Sequence, residues 1–228
     1  MLIGHQNIQQ QVSALAETNC LPHAILIHGQ QGIGKRTLCN HLAYFLICGG
    51  TYEEKNGLSI NQKSSAYAQL QARAYPDLHV LERTEKASSI NVADTRSILE
   101  RLTWSADGNR IVIIDSLDEL NPESANALLK TLEEPGQGVH FLLITHQISK
   151  VLPTILSRCR KFAADPLTPQ ETEAVLTQQD LSSDDIQTML RLYPNSPGQG
   201  IIFGQTGIIL QNMLEDAFVK QTISLTTL

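Results

Sequence analysis

A glycine-rich segment near the N-terminus, GQQGIGK at Gly29–Lys35, constrains the fold of this 228-residue chain more than any other feature. Its spacing, G-x-x-x-x-G-K, is that of a phosphate-binding loop. In such a loop, glycines let consecutive backbone N–H groups curl around phosphate oxygens, and the lysine reaches the terminal phosphates. The apolar run Ala24–Ile27 predicts a buried strand before the loop, and Thr37–Cys48 predicts a helix after it. This context favours a P-loop nucleotide fold over a glycine-rich turn that binds nothing.

Apolar runs and helical periods alternate along the first 165 residues. Further strands are predicted at Asp77–Leu81, Ile111–Ile114, Phe141–Ile144 and, as a short edge strand, Lys161–Phe162, and further helices at Asn7–Glu17, Val92–Leu102 and Asn121–Glu134. The last of these helices is the most clearly marked, because Asn121 can cap it, Pro122 suits its first turn and Pro135 stops it. The alternation predicts an α/β fold around a parallel five-stranded sheet with right-handed crossovers.

Two segments depart from this alternation. Gly49–Ala74 is mostly polar and lacks a strong period, so we expect a partly helical, mobile insertion there. After Leu167 the pattern is helical only, with helix starts indicated at Thr168–Pro169 and Ser182–Ser183. We therefore predict a nucleotide-fold domain over residues 1–165 and a small all-helical lid domain over residues 166–228, with the boundary near Asp165–Pro166.

Charge and composition argue against several classes of protein. A net charge of −6 and a pI near 5.6 disfavour a protein that coats DNA with its own surface, since such a surface is basic. The chain contains no apolar run of membrane-spanning length and does not begin with a secretion signal, so we expect a cytoplasmic protein without membrane contact. Neither the four cysteines nor the seven histidines show metal-ligand spacing. We expect reduced, mostly buried thiols and no zinc.

Both hydrolysis motifs of a phosphate-loop ATPase are altered in this chain. A Ser or Thr should follow the loop lysine and ligate Mg²⁺, but Arg36 stands there, and Thr37 lies one position later, about 100° further round the helix. The apolar strand RIVIID ends in Asp115, as a Mg²⁺-supporting strand does, but Ser116 follows it where related ATPases carry a water-polarising glutamate. Asp118 and Glu119 are displaced by two and three positions from Ser116, too far along the chain to replace that glutamate. Mg²⁺ binding is therefore left open, and ATP or ADP is expected to bind weakly at most.

Several segments together resemble one family, the delta-prime subunits of the bacterial DNA polymerase III clamp loader, which belong to the AAA+ superfamily. The resemblance covers nearly the whole chain and rests on IGHQ (Ile3–Gln6), LPHAILIHG (Leu21–Gly29), GIGKRTL (Gly32–Leu38), YPDLHVLER (Tyr75–Arg83), NALLKTLEEP (Asn126–Pro135) and PTILSRCR (Pro153–Arg160). The last two segments are specific for clamp-loader subunits, whereas a phosphate loop alone is not.

The resemblance implies roles for individual residues. Ser157–Arg158–Cys159 matches the family's SRC motif, whose arginine enters the ATP site of the neighbouring subunit and stabilises the charge of phosphoryl transfer. From composition alone, Arg158 would be a surface arginine at a short helix end. Thr145, at the end of a predicted strand, matches the polar residue called sensor 1. The implied nucleotide contacts are Gly29, Gly32, Gly34, Lys35, Arg36, Thr37, Asp115 and Thr145.

The chain also departs from the family in three places. Many members carry a zinc module of four cysteines after the phosphate-loop helix, but only Cys48 remains in that region, so no zinc is expected. The lid arginine of a G-S-x-R pattern is replaced by Gly198, in Asn195-Ser196-Pro197-Gly198, with Gln199 beside it. The family's helical collar domain, finally, is not contained in these 228 residues.

Three functions follow as hypotheses. The first is a scaffold and trans-activating subunit that contacts the ATPase motor subunits and the clamp-opening subunit, meets the sliding clamp and primed DNA through the complex, and hydrolyses little or no ATP. The second is an active ATP-hydrolysing loader subunit, against which Arg36, Ser116 and Gly198 argue. The third is a nucleotide-sensing DNA-binding module, which the acidic charge disfavours.

Overall fold

The structure of the protein is a computed structural model that describes residues 2–84, 89–102 and 109–204. The chain divides into two units. The first comprises Met1–Gln30 and Gly34–Asp165, and the second comprises Gln31–Ile33 and Pro166–Leu228. The tip of the phosphate loop therefore groups with the second unit. Within the described ranges, no helix is both long enough and apolar enough to cross a membrane.

The first unit alternates strands and helices. Its elements in chain order are α1 (Gln6–Glu17), β1 (Ala24–His28), α2 (Lys35–Cys48), β2 (Gly50–Glu53), β3 (Gly57–Ile60), α3 (Ser65–Gln71), β4 (Leu78–Glu82), α4 (Val92–Arg101), β5 (Arg110–Asp115), α5 (Pro122–Glu133), β6 (Val139–Thr145), α6 (Pro153–Leu156) and β7 (Arg160–Ala163). In the described part of the chain, a five-stranded sheet has the order β4-β5-β6-β1-β7, and each neighbouring pair is parallel. The predicted parallel sheet is confirmed, including the edge position of β7.

The sheet is stable because its central strands are apolar on both faces, as parallel strands covered on both sides must be. Successive side chains of a strand point to opposite faces. On one face, Leu26, Val112 and Phe141 belong to a single buried cluster with Leu128 and Leu132 of α5. The side chains of β1, β5 and β6 that point the other way are equally buried, and α2 packs against β5 and β6. Each fully buried Leu or Ile side chain contributes roughly 1.5–3 kcal/mol.

The helix starts predicted from the sequence are confirmed by their capping contacts. The Asn121 side chain accepts a hydrogen bond from the Ser124 N–H at 2.7 Å, and Pro122 is the first residue of α5. Thr168 and Glu171 form a reciprocal capping box, in which the Thr168 hydroxyl accepts from the Glu171 N–H at 3.2 Å and the Glu171 carboxylate accepts from the Thr168 N–H at 2.8 Å.

One prediction for the first unit is corrected by the structure. Gly49–Ala74 contains helix α3, as expected, but it also contains an antiparallel hairpin of β2 and β3 that the sequence analysis missed. The turn ends at Gly57, whose φ of 72° suits glycine. Gln9 of α1 anchors the hairpin. Its Oε1 accepts a hydrogen bond from the Leu58 N–H at 3.0 Å, and its Nε2 donates to the Gly4 carbonyl at 2.8 Å. The mobility of the insertion stays a prediction.

The described part of the second unit, apart from the loop tip, is helical. It contains α7 (Pro169–Thr177) and α8 (Ser183–Leu192), and residues 197–204 are also helical. The side chain of Asn195 donates to the Leu167 carbonyl at 2.6 Å, and the Leu167 N–H donates to the Asn195 carbonyl at 3.3 Å. These bonds join the start of the unit to the loop after α8. Residues 205–228 of the predicted lid lie outside the described residues.

Candidate nucleotide site and exposed arginine

The phosphate loop lies between β1 and α2, as the sequence predicts. Gly32 and Gly34 have φ values of 84° and 91°, which side chains of L-residues rarely adopt, so both positions need glycine. Helix α2 begins at Lys35, two residues before the predicted start at Thr37. The loop therefore leads directly into a helix N-terminus, which is the backbone arrangement that binds phosphate.

The Lys35 side chain is turned back onto its own loop. It is 3% exposed, and its Nζ donates to the carbonyl oxygens of Gly29 and Gln30, both at 2.7 Å. Burial lowers the pKa of Lys35 to about 8, against the opposite influence of Asp115 and Asp118. The Lys35 amine can bind a phosphate group only after it has left its two carbonyl partners.

Arg36 lies between two carboxylates at the ends of neighbouring strands. Its Nη1 contacts Glu82 Oε2 at 2.8 Å and Asp115 Oδ2 at 3.1 Å. Glu82 and Asp115 are the last residues of β4 and β5, and they are register partners in the sheet. Thr37, one position further along α2, is exposed. Arg36 therefore neutralises the strand-end aspartate that the sequence assigns to Mg²⁺ support.

Asp118 accepts hydrogen bonds from three groups at the ends of β5 and β6. Its Oδ1 accepts from the Ser116 hydroxyl at 2.5 Å, from the Thr145 hydroxyl at 2.7 Å and from the His146 N–H at 3.0 Å. Burial alone would raise the pKa of Asp118, but these hydrogen bonds outweigh burial and lower it. Thr145 is fully buried at the end of β6, so its hydroxyl is committed to this carboxylate.

These residues do not fit a Mg²⁺ ion. Mg²⁺ takes about six oxygen ligands in near-octahedral geometry, and in phosphate-loop proteins a Ser or Thr hydroxyl and a strand-end Asp supply two of them. Here the position of the hydroxyl is held by a guanidinium group that already binds Asp115. Across residues 2–84, 89–102 and 109–204, no cluster of three His, Cys, Asp or Glu side chains is suited to a metal ion.

Arg158 lies two residues after the end of α6, away from the phosphate loop in the sequence. Its Nη2 contacts Glu133 Oε1 at 2.6 Å, and its Nη1 donates to the Thr154 carbonyl at 2.7 Å. The side chain remains one-third exposed. The adjacent Cys159 is buried, and burial raises the pKa of its thiol to about 11, so this cysteine stays protonated and unreactive at neutral pH.

In the second unit, the segment Asn195-Ser196-Pro197-Gly198, where the resemblance implies a lid arginine, is bonded to the loop tip. The Ser196 hydroxyl donates to the Gln31 carbonyl at 2.9 Å, and the Gly198 N–H donates to the Gly32 carbonyl at 2.8 Å. A Cβ atom built on Gly198 would lie 2.8 Å from the Gly32 oxygen. The absence of a side chain at position 198 is thus what allows this close backbone approach.

Most of this site could be predicted from the sequence, but the roles of two residues could not. Lys35, Arg36 and Asp115 come together in the structure, and Thr145 contacts Asp118 beside them. Glu82 is the last residue of β4, one position beyond the predicted strand end at Leu81, and two strands that end in Glu and Asp are a recognisable signal. Asp118 is a hydrogen-bond acceptor, whereas the sequence indicated only a displaced acid.

The parallel sheet and the phosphate loop give this chain the fold of an AAA+ P-loop domain. A DNA polymerase III gamma-subunit-related protein from Thermotoga maritima superposes with a TM-score of 0.53 at 21% identity, covering 86% of this chain and 54% of that one. The Thermotoga maritima RuvB Holliday junction branch migration motor superposes with a TM-score of 0.55 at 16% identity, covering 93% and 64%. At these identities the likeness concerns the fold alone.

The family itself is established by sequence comparison. The family model described as "DNA polymerase III, delta subunit" matches residues 4–168, which is more than half of the chain, so the chain belongs to this family. It is 38% identical over 139 residues to the DNA polymerase III subunit delta' of Pseudomonas aeruginosa, covering 60% of this chain and 41% of that protein. It is 30% identical over 186 residues to the Escherichia coli subunit delta', covering 80% and 54%. The resemblance to delta-prime subunits is confirmed.

A gamma subunit is also among the relatives. The DNA polymerase III subunit gamma of Buchnera aphidicola is 32% identical over 180 residues, covering 77% of this chain and 46% of that protein. The chain spans about half the length of the curated relatives it matches.

Proposed function

We propose that this protein is a delta-prime-like subunit of the bacterial replicative clamp loader and helps to load the sliding clamp onto primed DNA during DNA replication. In this role it is a cytoplasmic scaffold between the ATPase motor subunits and the clamp-opening subunit. It contributes Arg158 to the ATP site of a neighbouring subunit and hydrolyses little or no ATP itself. Membership of the DNA polymerase III family and the delta-prime and gamma relatives support this assignment.

One contrast carries the proposal. In the chain's own loop, Lys35 is 3% exposed and bonded to two loop carbonyls, and Arg36 occupies the strand-end carboxylate of Asp115. Arg158 lies away from that loop, and its ion-pair partner is the half-exposed surface carboxylate of Glu133. A guanidinium group is always charged and offers several donors in a planar fork, which suits it to the charge that develops during phosphoryl transfer. The chain is therefore better equipped to act at a neighbour's ATP site than at its own.

The contacts of Arg158 suit it to this role. The Thr154 carbonyl fixes one nitrogen from within the chain, while the half-exposed Glu133 carboxylate holds the other. The Glu133 contact is a surface ion pair, which contributes little stability and is readily exchanged. A phosphate group from a neighbour can replace the carboxylate while the carbonyl keeps the guanidinium oriented, which lowers the entropy lost on binding.

The chain's own loop retains weak affinity for ATP or ADP in this proposal. The glycines and the helix N-terminus remain suited to phosphate. Binding must release Lys35 from two carbonyls, and that requirement reduces the affinity. Hydrolysis does not follow, because Ser116 replaces the water-polarising glutamate and its hydroxyl donates to Asp118.

The Arg158 role is tested in a clamp loader reconstituted from this protein, its ATPase motor subunits and its clamp-opening subunit. Arg158→Ala is expected to lower turnover at the ATP site it faces by about 10³-fold or more, as loss of a trans-acting arginine does elsewhere. The measurement is the ATPase rate stimulated by clamp and primed DNA, with complex assembly followed by size-exclusion chromatography. Arg158→Lys, which keeps the charge but loses the fork, should recover part of the rate.

Arg160→Ala is the matched control. Arg160 is exposed, lies two positions away and stacks on the Phe162 ring at 5.9 Å. Its replacement should leave the ATPase rate unchanged. An unchanged rate in the Arg158→Ala loader would remove Arg158 from the mechanism. Mg²⁺-dependent ATPase of the isolated protein that disappears in Lys35→Ala would overturn the scaffold role in favour of an active motor subunit.

A further inference from the structure

The carboxyl ends of β4 and β5 hold two carboxylates side by side. Glu82 and Asp115 are register partners, so the sheet fixes their backbones as neighbours whatever their side chains do. Two ionised carboxylates at this spacing repel each other, and an uncompensated pair of this kind attracts a cation. A positive charge at this edge of the sheet is therefore stabilising whether or not a nucleotide is bound.

Arg36 supplies this positive charge from within the chain. Its Nη1 contacts both carboxylates, at 2.8 Å to Glu82 and 3.1 Å to Asp115, and its Nε lies 3.4 Å from Asn40 Oδ1 on the next turn of α2. A guanidinium group is a permanent positive charge, and this one is covalently part of the chain. A divalent cation would have to displace the Arg36 guanidinium group, which is held beside the two carboxylates at a high effective concentration.

We propose that Arg36 is an internal cation that takes the place of Mg²⁺ at this AAA+ site. The chain rejects divalent metal because Arg36 binds Asp115 and Glu82, and not because the acidic residues have been lost. When Arg36 is replaced by a small hydroxyl residue, the two carboxylates and the new hydroxyl regain the oxygen ligands that Mg²⁺ and Mn²⁺ prefer. This inference deepens the proposed lack of ATP hydrolysis, but it does not depend on Arg158 or on clamp loading.

Mn²⁺ is the probe, because its free ion gives an electron paramagnetic resonance signal that disappears on binding. Wild-type protein is titrated beside Arg36→Thr, with no nucleotide present. We expect no saturable binding to the wild type in the low-millimolar range and at least tenfold tighter binding to Arg36→Thr, a difference of about 1.4 kcal/mol or more. Mg²⁺ should compete for the site that the substitution opens.

Two further variants make the result specific. Adding Asp115→Asn to Arg36→Thr should abolish the new binding, because it removes the strand-end carboxylate. Arg83→Thr is the matched control: it breaks another surface ion pair, that of Arg83 Nε with Glu119 Oε2 at 2.9 Å, and should not create a site. Circular dichroism of each variant establishes that it is folded. Arg36→Gln, which loses the charge and offers an amide oxygen as a neutral ligand, replaces Arg36→Thr if the latter does not fold.

Crystals of the wild-type protein soaked in Mn²⁺ test the proposal without any substitution. The guanidinium group should stand between Glu82 and Asp115, with no anomalous peak there. A Mn²⁺ peak between the two carboxylates would overturn the proposal. So would wild-type binding as tight as that of Arg36→Thr, or a folded Arg36→Thr or Arg36→Gln variant that gains no affinity. None of these measurements involves clamp loading, so the proposed function and this inference can fail separately.

Discussion

At the scale of single residues, the candidate site is defined by where its positive charges are held. Lys35 faces two carbonyls of its own loop, and Arg36 faces two strand-end carboxylates. The residue types were visible in the sequence, and the replacement of a metal ligand by Arg36 could be read directly from the motif. The partners were not visible, because Glu82 is 46 positions from Arg36 and Asp115 is 79 positions from it. Strand register, not local sequence, brings them together.

The Lys35 ammonium gives a testable pH dependence. Burial lowers its pKa to about 8 from an ordinary 10.5, so the folded chain releases this proton at a lower pH than the unfolded chain does. Between these two pH values the unfolded state binds more protons, and stability therefore rises with pH through this group. Relative to Lys35→Met, the wild type should gain stability from pH 8 to 10.5, by at most about 3 kcal/mol, and should gain none below that window.

Urea unfolding of both proteins at intervals between pH 6.5 and 10.5 provides the measurement. The difference between the two free energies of unfolding cancels the titration of the groups that both proteins share and leaves that of Lys35. Thr37→Val, a non-titrating change on the same helix, should show no such trend against the wild type. A difference between wild type and Lys35→Met that is flat across the whole range would mean that burial does not depress the pKa of Lys35.

At the scale of elements, the strands and helices followed from local sequence, but the hairpin did not. Apolar runs and capping residues such as Asn121 and Thr168 predicted the sheet strands and the helix starts closely. The segment Gly49–Ala74 lacks an apolar period because β2 is mostly exposed and β3 buries only Gly57 and Leu58. Its one local signal, Gly57 after Asn56, was overlooked. What holds the hairpin in place is a contact with α1, which no reading of the segment alone could supply.

That contact gives a prediction for Gln9. The side chain is 2% exposed and bridges the Leu58 N–H and the Gly4 carbonyl. Gln9→Ala leaves both backbone groups without this partner in a buried site, and the free energy of unfolding should fall by about 2–3 kcal/mol. Gln10→Ala, at an exposed position of the same helix, should change it by less than about 0.5 kcal/mol. Urea unfolding measures both, and hydrogen exchange of the Leu58 amide should accelerate in Gln9→Ala. Equal losses in the two variants would contradict the anchoring role.

At the scale of the whole molecule, the division into two units cuts through the phosphate loop. Gln31–Ile33 group with the second unit, while Gly29, Lys35 and Arg36 belong to the first. From the sequence, the loop is one motif within the predicted first domain. The division could not be predicted, because the loop tip is bonded to residues more than 160 positions away, as in the Ser196–Gln31 hydrogen bond. The missing lid arginine was visible in the sequence, but the reason for the glycine in its place was not.

The close approach of Gly198 to Gly32 predicts the sign of the stability change in Gly198→Ala. Residues 197–204 are helical, and in an ordinary helix Gly→Ala is stabilising by about 1 kcal/mol. Here a Cβ on residue 198 would lie 2.8 Å from the Gly32 oxygen and 3.0 Å from the Gly32 Cα, so backbone must shift. Gly198→Ala should therefore lower the free energy of unfolding by about 1–3 kcal/mol, and Gly198→Arg by at least as much.

Thermal and urea unfolding of these variants give the comparison, with Gln199→Ala as the control. Gln199 is the next residue of the same helix, and its replacement keeps the Gly198 N–H bond to the Gly32 carbonyl, so it should stay within about 0.5 kcal/mol of the wild type. The exchange rate of the residue 198 amide reports the same bond directly and should rise in Gly198→Ala. If Gly198→Ala instead stabilises the protein, as helix propensity alone requires, then the bond between residue 198 and the loop tip does not form in solution.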